Sequence, residues 1–280
     1  MTTAPGLRAG SSTVPATTVD VARQATVIAS AVLALTGSAI GSGAFGGTPI
    51  AEAGNGALSA SSTLVAPDGP AFAIWSVVYA GLLALAVWQV LPAHRADERQ
   101  RATGWWTAAS LLLNAAWILT VQAGHVAASV GVIAALLVVL VVVVGRLTTL
   151  RDAAARRAGR LEVVMVDGTM GLYLGWVSIA TVANTAAALK QAGLTAGEPA
   201  WAVGVLVVAA AVGVGTAVRT RGSLGFGAGL AWGLGWVAAG RAAGPATSTA
   251  VAVTAGVAAA VVLGATAAAR AGLLSRGPRR

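Results

Sequence analysis

The chain has 280 residues, of which 57% are apolar and 10% charged, and its mean hydropathy is +0.80. That leaves too little polar surface to clothe a soluble globule of this size, so the composition points to a membrane as solvent. The formal charge of +9 does not mark a nucleic-acid binder, because the arginines fall in short segments between apolar runs, and the lack of cysteine excludes disulfides, thiolate metal sites and thiol catalysis.

Residues 1–24 are rich in Thr, Ala, Ser and Pro with no apolar period, and read as a disordered cytoplasmic tail. Apolar runs that can cross about 30 Å of hydrocarbon follow. They lie at 25–47, 70–92, 104–122, 127–145, 168–189, 201–218, 222–240 and 248–269, and a basic cytoplasmic tail closes the chain at 270–280. The expected fold class is therefore all-α, a polytopic transmembrane bundle of about eight helices. Ala51 to Gly54 has the small-x-small form of a signal-peptidase site. The apolar stretch before it, about 20 residues, exceeds the roughly 7–15 of a secretory signal, which favours an uncleaved first helix.

Loop charges give a second reading of the same count, since Lys and Arg in short loops stay on the cytoplasmic side. One alternate set of segments holds sixteen basic residues, from Arg8 and Arg23 through the clusters at Arg95–Arg101, Arg146–Arg160 and Arg219–Arg221 to the C-terminal arginines. The other set, the loops at 48–69, 123–126, 190–200 and 241–247, holds only Lys190 and Arg241. Such an alternation requires an even number of spans and places both termini in the cytoplasm of a multi-pass cell-membrane protein.

Two residue types are conspicuous. Gly225, Gly229 and Gly233 are spaced by four in the seventh span, as are Gly37 with Gly41 and Gly43 with Gly47 in the first. Small residues at that spacing let helices approach closely, either within one chain or in a homodimer. Of nine tryptophans, Trp105, Trp106 and Trp201 lie at helix starts and suit an aromatic belt at the headgroups, with Trp88 near a helix end. Trp117 and Trp176 lie deeper and are expected to face other helices or a ligand.

Polar groups at membrane depth are costly and usually face the bundle interior. Asn114 precedes Trp117 by three residues and Trp75 precedes Tyr79 by four, so each pair shares a helix face. Tyr173, Trp176, Ala180 and Asn184 lie at offsets 0, 3, 7 and 11, close to whole turns, and form one stripe, aromatic above and amide below. An apolar space with aromatic walls and a few amides suits a flat, largely hydrophobic molecule. A packed core with interhelical amide bonds would use the same residues.

In order and spacing, Trp75-x-x-x-Tyr79, Asn114-x-x-Trp117 and Tyr173-x-x-Trp176-x-x-x-Ala180-x-x-x-Asn184 resemble the TspO/MBR family of tryptophan-rich sensory proteins over about 25–190, and look closest to its extended actinobacterial-type branch. The resemblance implies a five-helix bundle whose first loop folds over a ligand pocket. It implies a tetrapyrrole or sterol-like ligand held by these eight residues between helices two, three and five. Leu172 replaces the proline common before the helix-five tyrosine, helix four has no acidic residue, and the helices at 201–269 form an extension outside the resemblance. The expected function is a non-enzymatic receptor or sensor without cofactor or metal, whose partners are the bilayer and a hydrophobic ligand such as a porphyrin; a small-solute transporter is the alternative. His94 and His125 fall in loops on opposite expected sides, where they cannot share a metal or a catalytic proton.

Overall fold

The computed structural model describes residues 15–43, 48–50, 52–153 and 159–274, and these are helical throughout apart from turns and loops, with no strand among them. Eight long helices form: α1 Thr18–Gly41, α2 Ile74–Trp88, α3 Glu98–Gln122, α4 Val126–Ala153, α5 Thr169–Gln191, α6 Glu198–Arg219, α7 Leu224–Ala243 and α8 Thr249–Arg270. A 3₁₀ turn at Gly69–Ala73 leads into α2, and Arg160–Glu162 with a π-helical turn at Val163–Gly168 leads into α5.

Several helices outrun the expected spans, because hydropathy reads the hydrocarbon thickness while caps fix where a helix starts. α1 begins at Thr18, inside the segment expected to be a tail: Thr17 and Asp20 form a reciprocal capping box, with the Asp20 amide donating to Thr17 Oγ1 at 3.3 Å and the Thr17 amide to Asp20 Oδ2 at 2.9 Å. Residues 1–14 of that segment, and 275–280 of the basic tail, lie outside the described residues. α3 begins before residue 104 because Asp97 accepts from the amides of Arg99 at 2.9 Å and Gln100 at 3.0 Å.

Seven of the helical segments are long and apolar enough to cross a membrane by length and composition. α7 is not among them, since six of its 20 residues are glycine and it carries Arg241. Its position compensates for this: α7 packs between α5 and α8, and half of its residues are buried.

The first five helices close a ring. α1 packs on α3, α3 on α4, α4 on α5, and α2 bridges the gap between α5 and α1. α7 lies on the outer side of α5, α8 on α7, and α6 on α8, so α6 barely touches α5. The α5–α7 seam consists of backbone against backbone. A Cβ on Gly175 would stand 2.7 Å from the Leu230 nitrogen, and one on Gly171 2.9 Å from the Phe226 nitrogen. Gly225 and Gly229 face the Gly168 and Leu172 carbonyls, while Gly233 receives the Ile179 side chain. The glycine series of α7 is thus consumed inside the chain and offers no free homodimer face. In α1, Gly37 and Gly41 do the same against Ala115 and Ile118 of α3; Gly47 lies outside the described residues.

The two sets of segments sorted by charge gather at opposite ends. Arg101 pairs with Asp20 at 2.6 Å, Arg146 donates to the Ala102 carbonyl at 2.8 Å and Arg151 to the Thr220 carbonyl at 3.1 Å, all at the arginine-rich end. At the other end Gln122 donates to the Thr48 carbonyl at 2.7 Å and Gln191 to the Gly54 carbonyl at 3.2 Å.

The seam makes a sharp prediction about glycine. Gly175→Val should destabilise the detergent-solubilised protein by about 2 kcal/mol or more, since overpacking against an immovable backbone costs at least the usual 1–3 kcal/mol. Gly235→Ala, where nothing stands within 4 Å of the added carbon, should leave stability unchanged or raise it by up to about 1 kcal/mol through helix propensity. Thermal unfolding of the two variants side by side measures the contrast.

Candidate ligand-binding site

The eight expected residues converge on the interior of the five-helix ring. α2 contributes Trp75 and Tyr79, α3 Asn114 and Trp117, and α5 the stripe Tyr173, Trp176, Ala180 and Asn184; of these, only Trp75 and Ala180 are more than marginally exposed. Trp75 is the hub. Its ring stacks on Tyr79 with centroids 5.4 Å apart and on Trp117 at 6.4 Å, and meets Tyr173 at 6.0 Å and Trp176 at 6.1 Å edge to face. Phe72, from the turn before α2, stands edge-on to Trp176 at 5.8 Å. Offset and T-shaped geometries of this kind suit the aromatic quadrupole and fix the rings against one another.

Each amide binds across helices. Tyr79 donates its hydroxyl proton to Asn114 Oδ1 at 2.5 Å, joining α2 to α3. Trp117 Nε1 donates to Asn184 Oδ1 at 3.2 Å, and Asn184 Nδ2 donates to Ser129 Oγ at 3.0 Å, joining α3, α5 and α4. The Tyr173 hydroxyl donates to the Ser110 carbonyl at 3.3 Å. Two buried donors in this group have no partner: Asn114 Nδ2 and Trp176 Nε1.

The open space is distributed differently from the expectation. Between α2, α3 and α5 the cavity measures only about 30 Å³, space on the scale of ordered water, and Leu58, Ala66 and Pro67 of the loop between α1 and α2 line it together with Trp75, Trp117 and Trp176. The roomy cavity, about 540 Å³, lies between α1 and α2, bounded by Leu35, Ser38 and Gly41 on one side and by Trp75, Ser76 and Tyr79 on the other. The two share walls at Phe72, Trp75 and Trp117. Ala180 and Asn184 line the small cavity, whereas Asn114 and Tyr173 line neither and serve as buried braces.

Sequence spacing pointed to neither Phe72, the loop residues nor Ser129. Ser129, a hydroxyl one turn into an apolar helix, carried the only local signal, as a polar group at membrane depth needing a partner. His94 stacks on Trp88 at 4.1 Å and His125 is exposed near the opposite end, and no cluster of three or more His, Asp or Glu among the described residues could hold a metal.

A ring of five helices around an aromatic interior, closed at one end by a loop and buttressed by three further helices, defines a polytopic helical membrane protein. The TSPO-like protein family model matches residues 25–268, and the chain belongs to that family. The match runs through α6, α7 and α8, so these helices are part of the family's sequence pattern, where the motifs at 75–184 alone had left them outside it. No curated protein and no solved structure matches the chain.

The Trp117–Asn184 bond should register in a double-mutant cycle. Trp117→Phe and Asn184→Ala, singly and together, should give a coupling of about 0.6 kcal/mol, the mean for interhelical hydrogen bonds in bilayers, with about 1.7 kcal/mol as the ceiling. Reversible unfolding in mixed micelles supplies the four stabilities.

Proposed function

We propose that the protein is a non-enzymatic membrane receptor or sensor that holds a flat, largely apolar molecule against Trp75, by family resemblance a tetrapyrrole or sterol-like compound. The observation that carries this reading is the placement of Trp75 as the shared wall of a roomy cavity between α1 and α2 and a small one beneath the loop. Its neighbours supply stacking surface, and the unpaired Trp176 indole N–H supplies a donor for one polar atom of the ligand. Such a balance of aromatic wall and sparse polar groups is typical of small-molecule sites. A bilayer-dissolved ligand would enter between α1 and α2 and slide along Trp75 and Tyr79. The arginine distribution supports a multi-pass orientation in the cell membrane with both termini cytoplasmic. Catalysis has no candidate machinery in the two histidines, which sit near opposite ends.

A second reading, carriage of a lipophile across the membrane, is favoured by a further apolar cavity of about 580 Å³ between α4, α5 and α6. Ligand flux into proteoliposomes would support it, and binding without flux would exclude it.

Titrating the purified protein with protoporphyrin IX should quench tryptophan emission saturably. Trp75→Ala should weaken binding about tenfold, the equivalent of roughly 1.4 kcal/mol, as expected for losing a stacking platform. Quenching of the same amplitude and midpoint in a Trp117→Phe, Trp176→Phe double variant would place the ligand elsewhere.

A further inference from the structure

Arg241 is one of only two basic residues in the arginine-poor set of loops, yet it is 1% exposed, so a long cation has been buried at a helix end where the charge rule predicts none. Its guanidinium reaches out of α7 and into the loop between α1 and α2, donating from one nitrogen to the Thr63 carbonyl at 3.0 Å and from the other to the Ala60 carbonyl at 2.5 Å. The next residues of the loop are held in the same way. Glu198, the first residue of α6, accepts from the Leu64 amide at 2.9 Å, and the Trp236 carbonyl accepts from the Asp68 amide at 3.3 Å. Trp232 Nε1 donates to the Ala71 carbonyl at 2.8 Å, and bare Gly240 lets Asp68 approach α7 closely.

We propose that α6–α8 are a latch, with Arg241, Glu198 and Trp232 as positioning residues that hold the loop shut over the aromatic site. The anchor points bracket Ser62, Ala66 and Pro67, the loop residues that line the small cavity above Trp75. An irregular segment leaves backbone donors and acceptors to be satisfied by something outside it, and here the partners come from the C-terminal helices. α7 is itself fixed to α5 by the glycine seam, so latch and cavity floor share one frame. The latch rests on the proposed ligand site only for its purpose; its mechanics concern the loop alone.

The native chain has no cysteine, so Ala66→Cys places a single thiol on the buried side of the loop. In the full-length protein in nanodiscs, a water-soluble maleimide should label it slowly. Adding Arg241→Gln should speed labelling about tenfold or more, as expected for losing charge-assisted bonds. Glu198→Ala and Trp232→Phe should give smaller increases, and Arg241→Lys, which keeps a donor, should fall between native and Arg241→Gln. A control thiol at exposed Thr195 should label at one rate in every background. Unchanged Ala66→Cys labelling in all variants would overturn the latch, as would a parallel rise at Thr195→Cys, which signals general loosening. Should Arg241→Gln not fold, Glu198→Ala and Trp232→Phe decide alone. No ligand enters this measurement, so it is independent of the porphyrin titration.

Discussion

The backbone contact between α5 and α7 is the constraint on which the rest of the molecule depends. Lipid tails are as apolar as the helices, so helices in a bilayer associate through packing and hydrogen bonds and not through a hydrophobic drive. α5 achieves this on two sides at once. Gly171 and Gly175, four apart, admit the α7 backbone, while Tyr173 and Trp176, rotated around the same helix, build the aromatic interior. A side chain at either glycine would push α7 outward and carry the loop anchors with it. Site geometry and helix packing are therefore encoded in one short run of sequence.

The two ends of the bundle are held by different physics. At the arginine-rich end the ties are ionic: Arg99 binds Glu162 at 2.8 Å and also Asp167, linking α3 to the entrance of α5, and Asp20 takes Arg101 while lying 3.6 Å from Arg23. Arg23 also donates to the Arg95 carbonyl at 2.8 Å, and Gln24 to that of Gln89 at 2.5 Å. Charges at the edge of a bilayer are tolerated when paired. The π-helical turn at Val163–Gly168 contributes here, because Asp167 lies on it, joined to Arg99. At the other end, apart from the partly exposed Lys190–Glu198 pair, the ties are hydrogen bonds to loop carbonyls and amides, which can exchange for water without separating two buried charges. On the proposed latch, the ionic end would serve as the base and the loop end as the one that opens.

Much of this was legible in the sequence because it depends on periodicity and charge counting. Offsets of 3, 7 and 11 brought the α5 stripe to one face, and the arginine alternation divided the loops into the two sets that gather at opposite ends of the bundle. The two residues that break the alternation each have a specific partner: Lys190 lies 3.8 Å from Glu198, and Arg241 holds the loop. What could not be read depends on contacts between distant segments. Nothing in the local pattern of Leu58, Ala66 and Pro67 says that they fill the space between α2, α3 and α5. Nor does hydropathy reveal that Thr17 and Asp97 start helices ahead of the apolar runs, or that Arg99 in the first turn of α3 finds Asp167 some 68 residues on.

The filled interior has a consequence for how any ligand engages the aromatic cluster. The space is about 30 Å³, so on the proposed function a ligand that stacks on Trp176 would have to displace Leu58, Ala66 and Pro67, and with them the loop held by Arg241. A ligand confined to the 540 Å³ cavity can touch Trp75 and Tyr79 with the loop in place. The two cavities lie on either side of one indole, and on the proposed function they would be successive ligand positions, the outer reached from between α1 and α2 and the inner only at the cost of the loop contacts. On the proposed function, occupancy of the inner position and closure of the loop would exclude each other, and α6–α8 would be coupled to the site although none of their side chains lines either of these two cavities.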